Sequence, residues 1–236
     1  MPGTQSSHTV GSYDDELTGL AAQISDMGGM VEAAVADATR ALLKLDHDLA
    51  KSVITQDKTI DALHRLIDDK AVSMIARRQP VGADLRAIIT AIHIAGDLER
   101  VGDMAKTIAR RTLQIEGLSL TPKFYNGVKH MADLILRQLK AALDAYATHN
   151  AAAAVEVCNS DEEIDALYTS LFRELLTYMM EDPRVITQCT HLLFCSKSLE
   201  RVGDHATNIA EAAFYLDTGR QMSEEADELH RTQIKE

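Results

Sequence analysis

Leu98-Glu99-Arg100-Val101-Gly102-Asp103 is spelled a second time as Leu199-Glu200-Arg201-Val202-Gly203-Asp204, 101 residues further along. The agreement runs on through Ala105, Ile108 and Ala109, which return as Ala206, Ile209 and Ala210, so nine of twelve positions match. A second echo lies upstream. Asp57-Lys58-Thr59-Ile60-Asp61-Ala62-Leu63 answers Asp161-Glu162-Glu163-Ile164-Asp165-Ala166-Leu167 at an offset of 104, so the first copy carries three extra residues between its motifs. The period is about half the chain, far beyond the roughly 20–50 residues of a solenoid repeat. This is a duplicated domain.

Each echo holds two acids four residues apart: Asp57/Asp61, Glu99/Asp103, Asp161/Asp165 and Glu200/Asp204. On a helix such residues lie one above the other, and like charges there repel by a few tenths of a kcal/mol. The pairs are placed symmetrically about Pro80 in the first copy and about Asp182-Pro183 in the second. Proline ends one helix and opens the next. If the chain folds back at those prolines, Asp57 comes level with Asp103 and Asp61 with Glu99. In the second hairpin Asp161 comes level with Asp204 and Asp165 with Glu200. Four carboxylates in one zone suit a hard cation with oxygen ligands, such as Mg²⁺, Mn²⁺ or iron. The plainer reading is a row of solvated surface acids, easily supplied by a chain with 36 Asp and Glu residues.

Composition agrees with a helical body. Aromatic residues make up 4% of the 236 and tryptophan is absent, which leaves little to build sheets from. Apolar residues recur at spacings of three and four from Leu17 through Leu20, Ile24, Met27, Val31, Val35, Ala38 and Leu42 to Leu45, as one buried helical stripe requires. The same pattern predicts six long helices. The first starts near Ser12, the second runs from about Asp48 to Arg78, and the third from about Gly82 to Ile115, closed by Gly117. The fourth opens at Thr121-Pro122 and breaks at His149-Asn150. The fifth continues to Asp182-Pro183, and the sixth runs from about Arg184 to Leu216. The expected architecture is all-α, two tandem three-helix bundles. Residues 1–11 are a disordered arm, 12–118 the first bundle, 119–218 the second, and 219–236 an acidic tail. Gly28-Gly29 inside the first helix costs about 2 kcal/mol of propensity and marks a close helix approach or a kink.

A net charge of −12 and a pI near 5.2 argue against a nucleic-acid surface. No run of 18 apolar residues occurs and no signal peptide opens the chain, so the expectation is a cytoplasmic protein. Cys158, Cys189 and Cys195 have no metal-ligand spacing and read as buried thiols. No nucleophile stands beside a base, and no phosphate loop is present.

These motifs resemble the PhoU family, accessory regulators of bacterial phosphate-specific ABC transport. The resemblance rests on Asp84-Leu85-Arg86 after Gln79-Pro80, on both hexamers, on Asn208-Ile209-Ala210-Glu211 and on the four acid pairs, which are similar to the family's E(D)xxxD metal motifs. It covers residues 12–218. It implies multinuclear clusters of divalent or trivalent metal ions (Mg, Mn, Fe or Zn), one held by Asp57, Asp61, Glu99 and Asp103, the other by Asp161, Asp165, Glu200 and Asp204. It further implies a homodimer without enzymatic activity, a negative regulator of the phosphate regulon. This adaptor would couple the transporter's ATPase subunit to a sensor histidine kinase and meet the membrane only through those partners. The halves differ, however. Asn208 and Glu211 face Thr107 and Arg110, His205 is opposed by Met104, and His64 by Tyr168. Arg100 and Arg201 read as salt-bridge partners of a neighbouring helix, or as contacts to phosphate or an acidic partner. A different class, a di-metal carboxylate oxidoreductase or a metal-storage bundle, requires Glu-x-x-His motifs, to which only Asp61-Ala62-Leu63-His64 comes near.

Overall fold

The computed structural model describes residues 5–115 and 122–222, and among them every regular element is helical. In chain order these are α1 (Gln5–Lys44), α2 (His47–Arg78), α3 (Ala83–Thr112), α4 (Pro122–Thr148), α5 (Ala151–Asn159), α6 (Asp161–Glu181), a 3₁₀ turn (Pro183–Val185) and α7 (Ile186–Thr218). α1, α2 and α3 pack on one another as the first bundle. α4, the α5–α6 rod and α7 form the second. The bundles join where α3 lies along α7 and α1 against α4.

The corners are built alike in both halves, in a way that no glycine announces. Leu45 and His149 both take left-handed φ, 50° and 51°. The next residue's amide then bonds back five residues, Asp46 to Ala41 and Asn150 to Ala145, both at 3.0 Å. This satisfies carbonyls that the helix end leaves open. Each of those residues then caps the following helix: Asp46 Oδ1 accepts from the Leu49 amide at 2.9 Å, Asn150 Oδ1 from that of Ala153 at 3.0 Å. The duplication thus extends to backbone geometry.

Four boundaries differ from the sequence pattern. α1 begins at Gln5, not Ser12, so most of the expected disordered arm is helical; no proline interrupts the run, and Gly11 alone does not stop it. α3 ends at Thr112 without a glycine cap, while Gly117, Thr121 and the expected boundary at 118/119 lie outside the described residues. The fifth rod is broken at Ser160, whose hydroxyl bonds the Val157 carbonyl at 2.7 Å and whose amide is shared between Glu156 and Val157 carbonyls. The last rod opens with a 3₁₀ turn because Asp182 caps the Arg184 amide at 3.1 Å with Pro183 between them. It ends at Thr218, where Gly219 takes φ +73°. Of the tail, only residues up to Met222 are described.

The α1 stripe is buried as the periodicity requires: Ile24, Met27, Val31, Val35 and Leu42 are fully enclosed. Burial of one such side chain stabilises by roughly 1.5–3 kcal/mol. The two glycines of α1 separate cleanly. A Cβ on Gly28 would lie 2.8 Å from Leu143 Cδ1 on α4, whereas one on Gly29 would meet nothing within 4 Å. Gly28 is therefore the close approach between halves. Gly29→Ala is expected to stabilise by up to about 1 kcal/mol through helix propensity. Gly28→Ala should fall short of that gain by the roughly 1–3 kcal/mol of overpacking. Denaturant midpoints of the two variants decide this.

Candidate carboxylate sites on the two hairpins

The chain folds back at Pro80 and again at Asp182-Pro183, so that α2 packs on α3 and α6 on α7. In the first hairpin, Asp57 of α2 and Asp103 of α3 share one partner, the Lys106 ammonium, which is ion-paired with Asp57 Oδ2 and lies 3.4 Å from Asp103 Oδ1. Asp57 is only 3% exposed. The hydrogen bond to Asp57, reinforced by Asp103, holds the Lys106 ammonium above the ordinary lysine range despite burial. Glu99 faces its neighbour Arg100 at 3.7 Å, a surface pair of little energetic weight. Asp61 is half-buried on α2.

The second hairpin is arranged differently. Asp161 receives the Gln138 amide of α4 at 3.0 Å, and the same nitrogen reaches Thr207 Oγ1 at 3.3 Å. Glu200 is buried and takes Lys197 of its own helix at 2.6 Å. Burial pushes the Glu200 carboxyl up from the usual carboxylate range; Lys197 pulls it down, and the charges of Asp204 and Asp165 push it up again. Asp204 is raised by desolvation first, then by Asp161 and Asp165. The repulsion that raises these two carboxyls thus comes from neighbouring acids, Asp165 for both, with Asp161 acting on Asp204 and Asp204 on Glu200.

The glycines of the two hexamers mark where the helices approach. A Cβ at Gly102 would meet Ile60 at 3.3 Å; one at Gly203 would meet Gln138 Oε1 at 3.2 Å and Asp161 Oδ1 at 3.6 Å. Sequence reasoning placed the acids but missed Lys106, Lys197, Gln138 and Thr207. Aligning the two hexamers shows Lys106 opposite Thr207, which was the signal available.

In kind, the second hairpin fits a hard cation: its donors are carboxylate oxygens that repel one another, beside a buried Gln138 Oε1 without a hydrogen-bond partner. In placement, no three carboxylate, imidazole or thiol groups among the described residues stand where they would hold an ion, so a bound cation requires these side chains to turn inward. The first hairpin does not fit, because an ammonium already bridges the helices. The histidines serve elsewhere. His205 Nδ1 lies 2.9 Å from Asp97 across the seam between halves, and Asn208 donates to the same carboxylate at 3.3 Å. His64 pairs with Asp68 at 3.5 Å. Cys158 and Cys195 are pushed up by burial to about 11 and about 12, which keeps both as thiols.

The model of the PhoU domain matches the chain twice, over residues 24–112 and 128–213. The chain belongs to the PhoU family. A "Phosphate-specific transport system accessory protein PhoU homolog" of Rhizobium meliloti (strain 1021) is 53% identical over 214 residues, 91% of this chain and 90% of the relative. One from Caulobacter vibrioides (strain NA1000 / CB15N) is 45% identical over 94% of this chain and 96% of its own length. The crystal structure of PhoU from Pseudomonas aeruginosa superposes with a TM-score of 0.85 at 41% identity, covering 88% of this chain and 100% of that one. The phosphate transport system regulatory protein PhoU from Streptococcus pneumoniae gives 0.83 at 30% identity, over 89% and 99%. The two PhoU domains correspond to the two bundles, and the relatives are named as accessory and regulatory proteins. None of these relatives is named as an enzyme, and the oxidoreductase reading finds no support among them. No helix of the described residues is long and apolar enough to cross a membrane.

Proposed function

We propose that this protein is a cytoplasmic regulator of phosphate uptake, a homodimer that couples the ATPase subunit of a phosphate ABC transporter to a sensor histidine kinase and represses starvation signalling when phosphate is plentiful. The observation that carries the reading is kinship along almost the whole chain, 53% identity over 91% of it, with an accessory protein of phosphate-specific transport. The all-helical double bundle supports an adaptor role, since its long rods offer surface to partners. A strain lacking the gene and any paralogue should express phosphate-starvation genes at high phosphate. Normal repression and normal uptake in that strain would end this reading.

The second hairpin is proposed to hold a hard cation through Asp161, Asp165, Glu200 and Asp204. Those side chains would supply the oxygen donors, and the cation's charge would relieve their repulsion. Binding to the folded state alone stabilises by about 2.7 kcal/mol at a hundredfold excess over Kd. Chelation is therefore expected to lower the melting temperature and Mg²⁺ or Mn²⁺ to restore it, while Asp204→Asn abolishes the response. A melting curve indifferent to chelator and cation would remove the proposal.

A further inference from the structure

We propose that Lys106 is the built-in counter-ion of the first hairpin, closing a carboxylate site that its duplicate leaves open, so that the cation dependence of this protein is confined to its second half. The inference rests on the cation reading of the second hairpin. It is carried by what stands at one repeated position. Lys106 lies on α3 and its ammonium reaches across the hairpin to Asp57 of α2 while also meeting Asp103 at 3.4 Å. That bridging place, between acids of two helices, is the one a shared cation would occupy. The pair at its centre is largely buried, the side chains of Lys106 and Asp57 being 20% and 4% exposed, while Asp103 lies nearer the surface. A metal ion entering there would have to expel an ammonium whose partners lie under it, leaving a lysine charge half-buried and alone.

In the second copy the same position, three residues past the hexamer, is Thr207, which carries no charge and accepts a hydrogen bond from Gln138 at 3.3 Å. The second half does have a lysine, but Lys197 sits three residues before Glu200 on the same helix, is about half exposed at its side chain (47%), and rests over the Tyr168 ring at 5.3 Å. Its ion pair is with its own helix and does not tie α6 to α7. One turn further on, the asymmetry grows: the first half has Arg110 where the second has Glu211, both exposed. Two positions, Lys106 against Thr207 and Arg110 against Glu211, thus separate a neutralised copy from an acidic one.

The test uses the full-length protein, Mn²⁺ as probe, and two readouts, bound Mn²⁺ per chain and melting temperature. Wild type should bind Mn²⁺ at one locus, lost in Asp204→Asn and kept in Asp103→Asn. Lys106→Thr should melt lower, gain a second locus, and recover its melting temperature when Mn²⁺ is added. Thr207→Lys, which leaves the Gln138 amide its shorter bond to Asp161 and so keeps the test alive if Lys106→Thr does not fold, should weaken Mn²⁺ binding at least tenfold. Loss of wild-type binding in Asp103→Asn overturns the proposal, as does a folded Lys106→Thr that neither binds additional Mn²⁺ nor is rescued by it, or a Thr207→Lys that binds as wild type does. If wild type binds none while Lys106→Thr does, the role of Lys106 stands and the cation reading of the second hairpin falls.

Discussion

Leu98→Ala is expected to lower the free energy of unfolding by about 2–5 kcal/mol, and Leu199→Ala, its duplicate, by a comparable amount in the same transition. Both leucines are fully buried, each at the head of its hexamer. α3 and α7, which carry them, lie along one another, and the buried residues of the two halves form one continuous core. Neither bundle can open without exposing the face on which the other rests. Cross-half polar contacts add to this: Arg86 donates to the Leu216 carbonyl at 3.1 Å, and Asp97 holds His205. The single transition should therefore move as a whole, by roughly 2–4 °C per kcal/mol for a chain of this size. Urea melts followed by two probes decide the matter. A biphasic curve in which each substitution shifts only one phase would show the bundles folding independently.

The fold was legible because its signals are periodic and repeated. The hexamer revealed the duplication, apolar spacing the helices, and Pro80 and Pro183 the hairpins that carry the acids. What stayed hidden depends on contacts rather than pattern. Ser160 breaks the fifth rod through a hydroxyl bond to the carbonyl three residues back, and serine within a helix ordinarily gives no such warning. Leu45 and His149 turn their corners left-handed without glycine, so the usual marker was missing. Lys106 is one of many lysines three residues from an acid; only its reach to the buried Asp57 on another helix sets it apart. The Asp97–His205 pair depends on which face each bundle turns to the other, a fact that an internal repeat does not encode.

Asp57 and Lys106 should prove strongly coupled in a double-mutant cycle. Asp57→Asn leaves the ammonium with Asp103 alone. Lys106→Met leaves a carboxylate, 3% exposed, without its cation. Removing one partner of a buried ion pair is costly, about 3 kcal/mol, because the remaining charge is desolvated and unmatched. Removing both takes the unmatched charge away, so the double variant should be no worse than either single one, and the cycle should return a coupling at the upper end of about 0.5–3 kcal/mol. The exposed pair Lys129–Asp133, also a close contact at 2.7 Å, supplies the contrast and should couple by only about 0.3–0.5 kcal/mol. The pH dependence follows from the raised Lys106. A lysine held above its unfolded value stabilises fully below about pH 10.4 and loses that contribution as pH rises through the folded value. The advantage of wild type over Lys106→Met should accordingly be flat through neutral pH and shrink only in strong alkali. Additive single losses, or an advantage that fades near neutrality, would mean that the lysine is a surface charge rather than the counter-ion on which Asp57 depends.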